Sequence, residues 1–310
     1  MQRTAPRRKR FPWHILVFLA PAVFIYTLVM IYPLIDSLRL SFFAPNAEGQ
    51  STFVGLANYQ RLLTDSNFAP RFWGALRNNF VFFLIHMFVQ NPIGLFLAAL
   101  LSSRFVRGRA IYRTLIFTPT ILSVVLVGFI WQLILSPLWG IADSLIRPFG
   151  LKTLPYLGLE THALPVLSLV SVWQWVGLPM MLFLAALISI PDELIEAARV
   201  DGATGWGVFM RIKLPLILPT VGIVAVLTFV GNFNAFDLIY TTQKALAGPN
   251  FSTDILGTFF YRTFFGVQLQ LGNPTMGATV AAMMLLIILG GVLFYLFAFQ
   301  RRLLRLEVQL

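Results

Sequence analysis

Two stretches of this chain hold residues whose types and spacing could do molecular work. The first is Asn232-Phe233-Asn234-Ala235-Phe236-Asp237-Leu238-Ile239-Tyr240, at the end of an apolar run. Amides offer both donors and acceptors, and aromatic rings offer flat apolar faces. That mixture suits a hydroxyl-rich solute such as a sugar, whose O–H groups need partners and whose C–H faces need apolar contact. On a continuous helix Asn232, Phe236 and Tyr240 share one face, at i, i+4 and i+8. The same residues also suit packing, with amides joining helices and aromatics forming a belt at a membrane interface. Trp173-Gln174-Trp175, in an earlier apolar run, is open to both readings. His86 and Gln90 share a helical face ahead of Asn91-Pro92. A lone histidine could relay protons, but no carboxylate occurs in its run, and the pair reads as packing.

The second stretch is the 189–213 loop, which begins Ser189-Ile190-Pro191-Asp192-Glu193-Leu194-Ile195-Glu196-Ala197-Ala198-Arg199-Val200-Asp201-Gly202. Pro191 fits a first helical turn, where its missing N–H costs nothing. Ser189 or Ile190 then falls in the cap region, and Asp192 and Glu193 complement the positive end of the helix dipole. Gly202 supplies a stop, and Gly205 and Gly207 let the chain turn before a second helix over Trp206–Lys213 that leads to Pro215. Leu194, Ala197, Ala198 and Asp201 share a face of the first helix. Its two alanines admit a close neighbour, while Glu196 and Asp201 can accept hydrogen bonds from arginine. The pattern alone leaves open whether this is a docking element or a solvated connector.

Composition decides what must position these residues. Of 310 residues, 58% are hydrophobic and only 11% charged, whereas soluble domains carry about 25% charged residues. Such a chain uses lipid as its solvent. Charges interrupt it to leave windows at Phe11–Ile35, Asn78–Ser103, Thr114–Ala142, Thr161–Pro191, Leu214–Phe236 and Thr263–Gln300. Each exceeds the roughly 20 apolar residues that cross a bilayer as a helix. No strand-like alternation appears, so the fold class is an all-α integral membrane protein with six transmembrane helices. The cores fall near 13–34, 80–101, 114–136, 164–188, 214–236 and 276–299. Gly272, Pro274 and Gly277 mark a turn before the last of them. Gly277, Ala278, Ala281 and Ala282 form a small-residue stripe for close helix packing.

The first run is long for a signal sequence and lacks a small-residue cleavage site, so it reads as a retained anchor behind a basic segment, 1–12. Residues 13–310 then form one transmembrane domain. Of the 23 Lys and Arg residues, 15 lie in the N-terminus, the 102–113 and 189–213 loops and the C-terminal tail. By the positive-inside rule those segments, and both termini, are cytoplasmic. The net charge of +11 is therefore scattered over short loops, and a nucleic-acid partner is excluded. There is no cysteine, histidines number three, and no phosphate-binding G-x-x-x-x-G-K-[ST] loop occurs. An intramembrane enzyme lacks its nucleophile or metal cluster, and an ion-coupled transporter lacks carboxylates, lysines and arginines at span depth.

The spacing Glu196-Ala197-Ala198, three residues, Gly202, nine residues, Ile212, one residue, Leu214-Pro215 resembles the EAA loop of bacterial ATP-binding-cassette importer permeases, and every fixed position matches. Phe53-Val54-Gly55-Leu56-Ala57-Asn58-Tyr59 is similar to a segment common in sugar-uptake permeases, as is the 234–240 stretch with its later Gly248-Pro249. The resemblance runs from about residue 15 to the end. It is nearest to the maltose-type and glycerol-phosphate-type permeases, as the first of their two unlike subunits. Ala247 replaces the usual first glycine of Gly-Gly-Pro, and the 272–277 insert is unusual. Both lie on the outer side, where they bear on binding-protein contacts and solute identity.

The resemblance implies a permease subunit of an ATP-driven importer for a disaccharide, oligosaccharide or polyol-like solute, in the cytoplasmic (inner) membrane of a bacterium or archaeon. An amino acid, polyamine or phosphate is the alternative cargo. It implies that Leu194, Glu196, Ala197, Ala198, Asp201, Gly202, Ile212, Leu214 and Pro215 couple to an ATPase. It favours Asn232, Phe233, Asn234, Phe236, Asp237, Tyr240, Trp173 and Gln174 as lining the solute path. The implied partners are a second, similar permease, two ATPase subunits that carry ATP and magnesium, an extracytoplasmic solute-binding protein and membrane lipid. The chain itself is expected to be non-catalytic and to hold no cofactor or metal.

Overall fold

The computed structural model describes residues 13–46, 48–103, 106–138, 154–267 and 270–300, together with Ile141 and Pro148. The basic segment 1–12 and the tail 301–310, on which much of the expected orientation rests, lie outside the described residues.

The chain is predominantly helical. Helix α1 spans Ile15–Leu40 and contributes no fully buried residue to the interior of the chain; Phe18 is 82% exposed. A soluble protein could not leave such a face in water. A short antiparallel hairpin, β1 (Phe43–Pro45) with β2 (Ser51–Phe53), places Phe43 opposite Phe53. Helix α2 (Ala57–Thr64) follows. Asn58 ties it back to the hairpin approach, donating to the carbonyls of Ser41 and Phe43 at 2.8 Å each. The Ser41 and Tyr59 hydroxyls meet at 2.7 Å. Two side chains of the Phe53–Tyr59 segment thus fasten the end of the first span.

Helix α3 runs Ala69–Ser102, starting well before the expected 80. Its 34 residues measure about 50 Å at 1.5 Å per residue, longer than a hydrocarbon core of about 30 Å, so part of it projects beyond the lipid. The third expected span is two helices, α4 (Arg109–Ile121) and α5 (Val124–Ile134), bent by 96°. Pro119 has no N–H for the last turn of α4, and Leu122 and Ser123 are extended. The fourth is α6 (Glu160–Trp175) and α7 (Gly177–Ile188), bent by 44° where Pro179 leaves the Trp175 carbonyl without its usual donor.

Helix α8 is Asp192–Val200, and α9 is the single turn Gly205–Val208. The expected fifth span becomes α10 (Leu218–Phe233), a break at Asn234–Phe236, and α11 (Asp237–Gln243). Helix α12 (Leu256–Phe265) leads to a two-residue ribbon, β3 (Gly266–Val267) with β4 (Gln270–Leu271). Helix α13 begins at Pro274 and runs to Tyr295. Gly277 is therefore helical, not part of a turn; a Cβ there would sit 2.6 Å from Phe264 Cβ, so α12 and α13 touch closely. Among the described residues, four helical stretches are long and apolar enough to cross a membrane, and up to six if each bent pair counts as one.

Four widened, π-type turns occur among the described residues, at Thr27–Ile31, His86–Gln90, Phe209–Lys213 and, at the end of α13, Leu296–Gln300. The first three each end two residues before a proline: Pro33, Pro92 and Pro215. A proline ring clashes with the carbonyl four residues back and offers it no donor. An inserted residue moves that carbonyl away. The sequence thus dictates where these helices loosen.

Two larger apolar clusters, of four among the described residues, hold the bundle. One joins the second half of α3 to α7 and α10 through Ala98, Leu101, Met180, Phe183, Leu184, Leu187, Ile217 and Val224. Gly94 makes this approach possible, since a Cβ there would lie 3.1 Å from the Met180 nitrogen. The other joins α2, the first half of α3, α10, α12 and α13 around Leu62, Phe72, Phe233, Phe259 and Met276.

Candidate functional site: an exposed helical corner and an intramembrane cavity

The corner is built by local rules. Pro191, with ψ 135°, is the residue before the helix and not its first turn, so Asp192 and Glu193 open α8. Gly202 has φ +84°, which an L side chain rarely adopts, and its space is otherwise open. The Gly202 amide donates to the Arg199 carbonyl at 3.0 Å, and Ala203 to Ala198 at 2.9 Å. These are the paired bonds that close a helix C-terminus on a left-handed glycine. Two residues later Thr204 starts α9, its Oγ1 accepting from the Gly207 amide at 3.2 Å. Both ends of the bend are therefore fixed by named hydrogen bonds.

The faces of α8 divide differently from expectation. Ala198 is buried, and Ile195 packs on the cluster of Leu187, Ile190 and Ile217. Leu194, Ala197 and Asp201 point outward, so the expected four-residue face loses Ala198 to the chain's own core. Glu196 is also exposed. Leu214 packs on the same core and Ile212 is half-buried, so both root the corner, while Pro215 and Gly202 shape its backbone. Two exposed apolar residues went unremarked in the sequence: Val200, 87% exposed, and Trp206, 69% exposed and stacked on Phe209 at 6.0 Å. With Leu194 they form apolar surface on an otherwise polar corner.

The cavity, about 360 Å³, lies among α3, α6, α7, α10, the Asn234–Phe236 break and the start of α11, with Val124 of α5 on its wall. Its wall includes His86, Gln90, Ser171, Trp175, Thr228 and Asn232. The His86 Nδ1 donates to the Phe82 carbonyl at 2.8 Å, since a carbonyl can only accept, and Nε2 then accepts the Ser171 hydroxyl at 2.9 Å. Both nitrogens are thereby engaged, in keeping with a packing role. Asn91 Nδ2 donates to Thr228 Oγ1 at 3.1 Å, and Thr228 donates to the Val224 carbonyl at 2.8 Å. Asn79 bridges three elements. Its Nδ2 donates to the Asn232 carbonyl at 2.9 Å, and its Oδ1 accepts the Leu256 amide at 2.7 Å. Asn232 Nδ2 donates to the Thr228 carbonyl at 2.6 Å. The side-chain oxygens of Gln90 and Asn232 are buried without a partner among the described residues.

Of the residues expected on a solute path, Asn232, Asn234, Phe236 and Asp237 line this cavity. The others lie elsewhere. Phe233 is fully buried in the second cluster. Tyr240 is one ring removed, stacked on Phe236 at 4.9 Å with its hydroxyl 3.4 Å from that of Tyr261. Trp173 packs edge-on against Trp131 at 5.6 Å. Gln174 spans the bend between α4 and α5. Its Nε2 donates to the Leu122 carbonyl at 3.1 Å, and its own carbonyl accepts from Thr120 Oγ1 at 3.0 Å. The shared face of Asn232, Phe236 and Tyr240 does not exist, because the helix stops at Phe233 and restarts at Asp237. His86, Gln90 and Ser171 were the signal missed: polar residues that pack one against another can also leave an edge on a void.

Beyond the cavity mouth, the 244–255 loop is anchored by a buried ion pair. Arg262 Nη2 lies 2.5 Å from Asp254 Oδ2, and Arg262 Nη1 also donates to the Ala245 carbonyl at 2.8 Å. Burial pushes the Asp254 carboxyl above its ordinary value, and Arg262 and Thr258 pull it back. The guanidinium planes of Arg71 and Arg262 lie 4.2 and 4.8 Å from the Phe251 ring centre.

This architecture has known counterparts. A bacterial ABC transporter involved in the import of the acidic polysaccharide alginate shares the fold, with a TM-score of 0.78 at 23% identity over 93% of this chain and 96% of that one. The lactose transport system permease protein LacF of Rhizobium radiobacter is 30% identical over 80% of this chain and 82% of its own. The probable ABC transporter permease protein YurN of Bacillus subtilis is 33% identical over 80% and 84%. Residues 90–303 match the family described as binding-protein-dependent transport system inner membrane component. The chain therefore belongs to that family, as a membrane permease component of an importer.

Proposed function

We propose that this chain is the carbohydrate-conducting permease of its importer, with the cavity on the solute path and the α8 corner docked on a separate ATPase. The observation that carries the proposal is the corner. Leu194, Val200 and Trp206 are apolar, exposed, and held on a bend fixed by backbone hydrogen bonds. Apolar groups kept rigidly outside a core suit a partner's cleft, because little ordering remains to be done on binding. Glu196 and Asp201 flank them as acceptors for arginine. In this reading residues 13–310 form one permease domain with six crossings, both termini are cytoplasmic, and the chain lies in the inner membrane. A second, similar permease, two ATPase subunits and an extracytoplasmic binding protein complete the complex.

Relatives named for lactose, arabinooligosaccharide and alpha-glucoside transport support the choice of cargo. So does the cavity wall, where amide and hydroxyl groups stand beside Phe236 and Trp175. ATPase closure moves the corner, and the bundle rocks between inward-open and outward-open arrangements. Moving such an equilibrium from 1:99 to 99:1 takes about 5.5 kcal/mol, which has to enter largely through 191–213. The test replaces Glu196 with Lys in the assembled complex. Membrane insertion should persist, while ATPase co-purification and uptake fall together. Normal solute-stimulated ATP hydrolysis in that variant would refute the docking role.

A further inference from the structure

We infer that Trp175 is a stacking platform for a cyclic sugar, so that the cavity selects ring-shaped solutes over open-chain polyols. The inference rests on the carbohydrate reading above and narrows it.

Four aromatic side chains line the cavity: Phe82, His86, Trp175 and Phe236. Three of them are engaged with other rings of the chain. Phe82 and His86 are buried, with ring centres 4.4 Å apart. Phe236 packs on Tyr240 at 4.9 Å and on Tyr261 at 5.4 Å. Trp175 has no ring partner among the described residues, and its Nε1–H has no acceptor there. It is 37% exposed although it stands in a wall. The indole thus presents an apolar face and an edge donor that the chain itself does not use.

The backbone that carries this ring is clamped on both sides. Gln174 Nε2 holds the Leu122 carbonyl at 3.1 Å, and the Gln174 carbonyl accepts from Thr120 at 3.0 Å. Gly177 lies so near α4 that a Cβ on it would sit 2.9 Å from the Ile116 carbonyl oxygen. Trp173 makes the contrast, since its ring is occupied by Trp131. A fixed bend with an uncommitted indole suits a flat solute. A sugar ring turns several C–H bonds to one face and keeps its oxygens at the rim, where the indole N–H can reach one. Gln90 Nε2 is a second wall donor without a partner among the described residues. An open-chain polyol offers hydroxyls but no fixed apolar face, and it loses conformational freedom in forming one.

The experiment measures equilibrium binding to the assembled importer in lipid nanodiscs, with the binding protein left out so that its own site adds nothing. The probes are lactose, maltotriose, arabinotriose and the open-chain polyol sorbitol. The best-bound sugar should bind at least about tenfold more tightly than sorbitol. Trp175→Leu should weaken that sugar about tenfold and leave sorbitol within about twofold. Trp175→Phe keeps a ring and loses the donor, and should cost about threefold. Tryptophan emission of the parent should shift when the sugar binds, and the shift should vanish in Trp175→Phe although that variant still binds. The parent's emission decides the matter even if Trp175→Leu fails to fold. Sugar affinity unchanged in Trp175→Leu would overturn the inference, as would an equal loss for sorbitol or an emission that sugar does not move. So would sorbitol binding as tightly as any of the sugars. If no probe binds, the carbohydrate reading itself falls, and this inference with it.

Discussion

The corner at 191–213 and the cavity are built by opposite means. The corner is held by backbone hydrogen bonds between residues close in sequence, and its side chains are left facing outward. The cavity wall is held by side chains that reach across 85 to 177 residues, such as His86 to Ser171 and Asn79 to Leu256, and it leaves two acceptors unanswered. The corner keeps its surface free by settling its order locally, and the cavity holds its shape by long-range ties. Damage to one should therefore leave the other intact.

The largest effect is expected at the tie that joins α3 to α10 and α12 beside the cavity. Asn79→Leu strands the Leu256 amide and the Asn232 carbonyl, and should lower stability by about 2–4 kcal/mol, measured by thermal unfolding in detergent. The folded fraction should still co-purify with ATPase as the parent does; a loss of that capture would show that the two regions are not independent. Gly202→Val comes next. Forcing a β-branched residue to φ +84° carries about 1–2 kcal/mol of local strain, and uptake into vesicles should drop on the order of tenfold while solute binding stays at parental level. Thr204→Ala removes the cap of α9, worth about 1 kcal/mol, and should weaken ATPase capture less than Gly202→Val does. Smallest in stability is Gln90→Met, which removes an unpaired buried oxygen at similar volume. Melting should stay at the parent's level or rise by up to about 1 kcal/mol, since an unpaired buried acceptor is costly to keep; a clear loss of stability would show that the amide has a structural partner.

This contrast also explains what could be read from sequence. The corner was legible almost in full because proline, the acidic first turn and Gly202 act on their neighbours. Pro191 precedes the helix where the pattern put it in the first turn, a shift of one residue, and the face of Ala198 is set by the neighbouring core, which no local pattern reveals. The spans were legible in number of apolar runs but not in shape. Pro119 and Pro179 gave a reason for bends, yet whether a helix resumes at 96° or 44° depends on what it meets. The cavity was half legible. Asn232 and Asp237 stood in one conspicuous stretch, while His86 and Ser171 came from separate runs whose meeting only the fold decides. Gln174 shows the converse: a polar residue in an apolar run can serve another helix's broken end, here the Leu122 carbonyl.

The widened turn at His86–Gln90 carries a last implication. Each residue turns an α-helix by about 100°, so one surplus residue swings everything beyond it to a different side of the rod. Apolar and polar positions counted from Ala69 fall out of step with those counted back from Ser102. A substitution scan along this helix will show two separate rhythms that meet at Gln90, and a single wheel drawn through both will hide the stripe that matters.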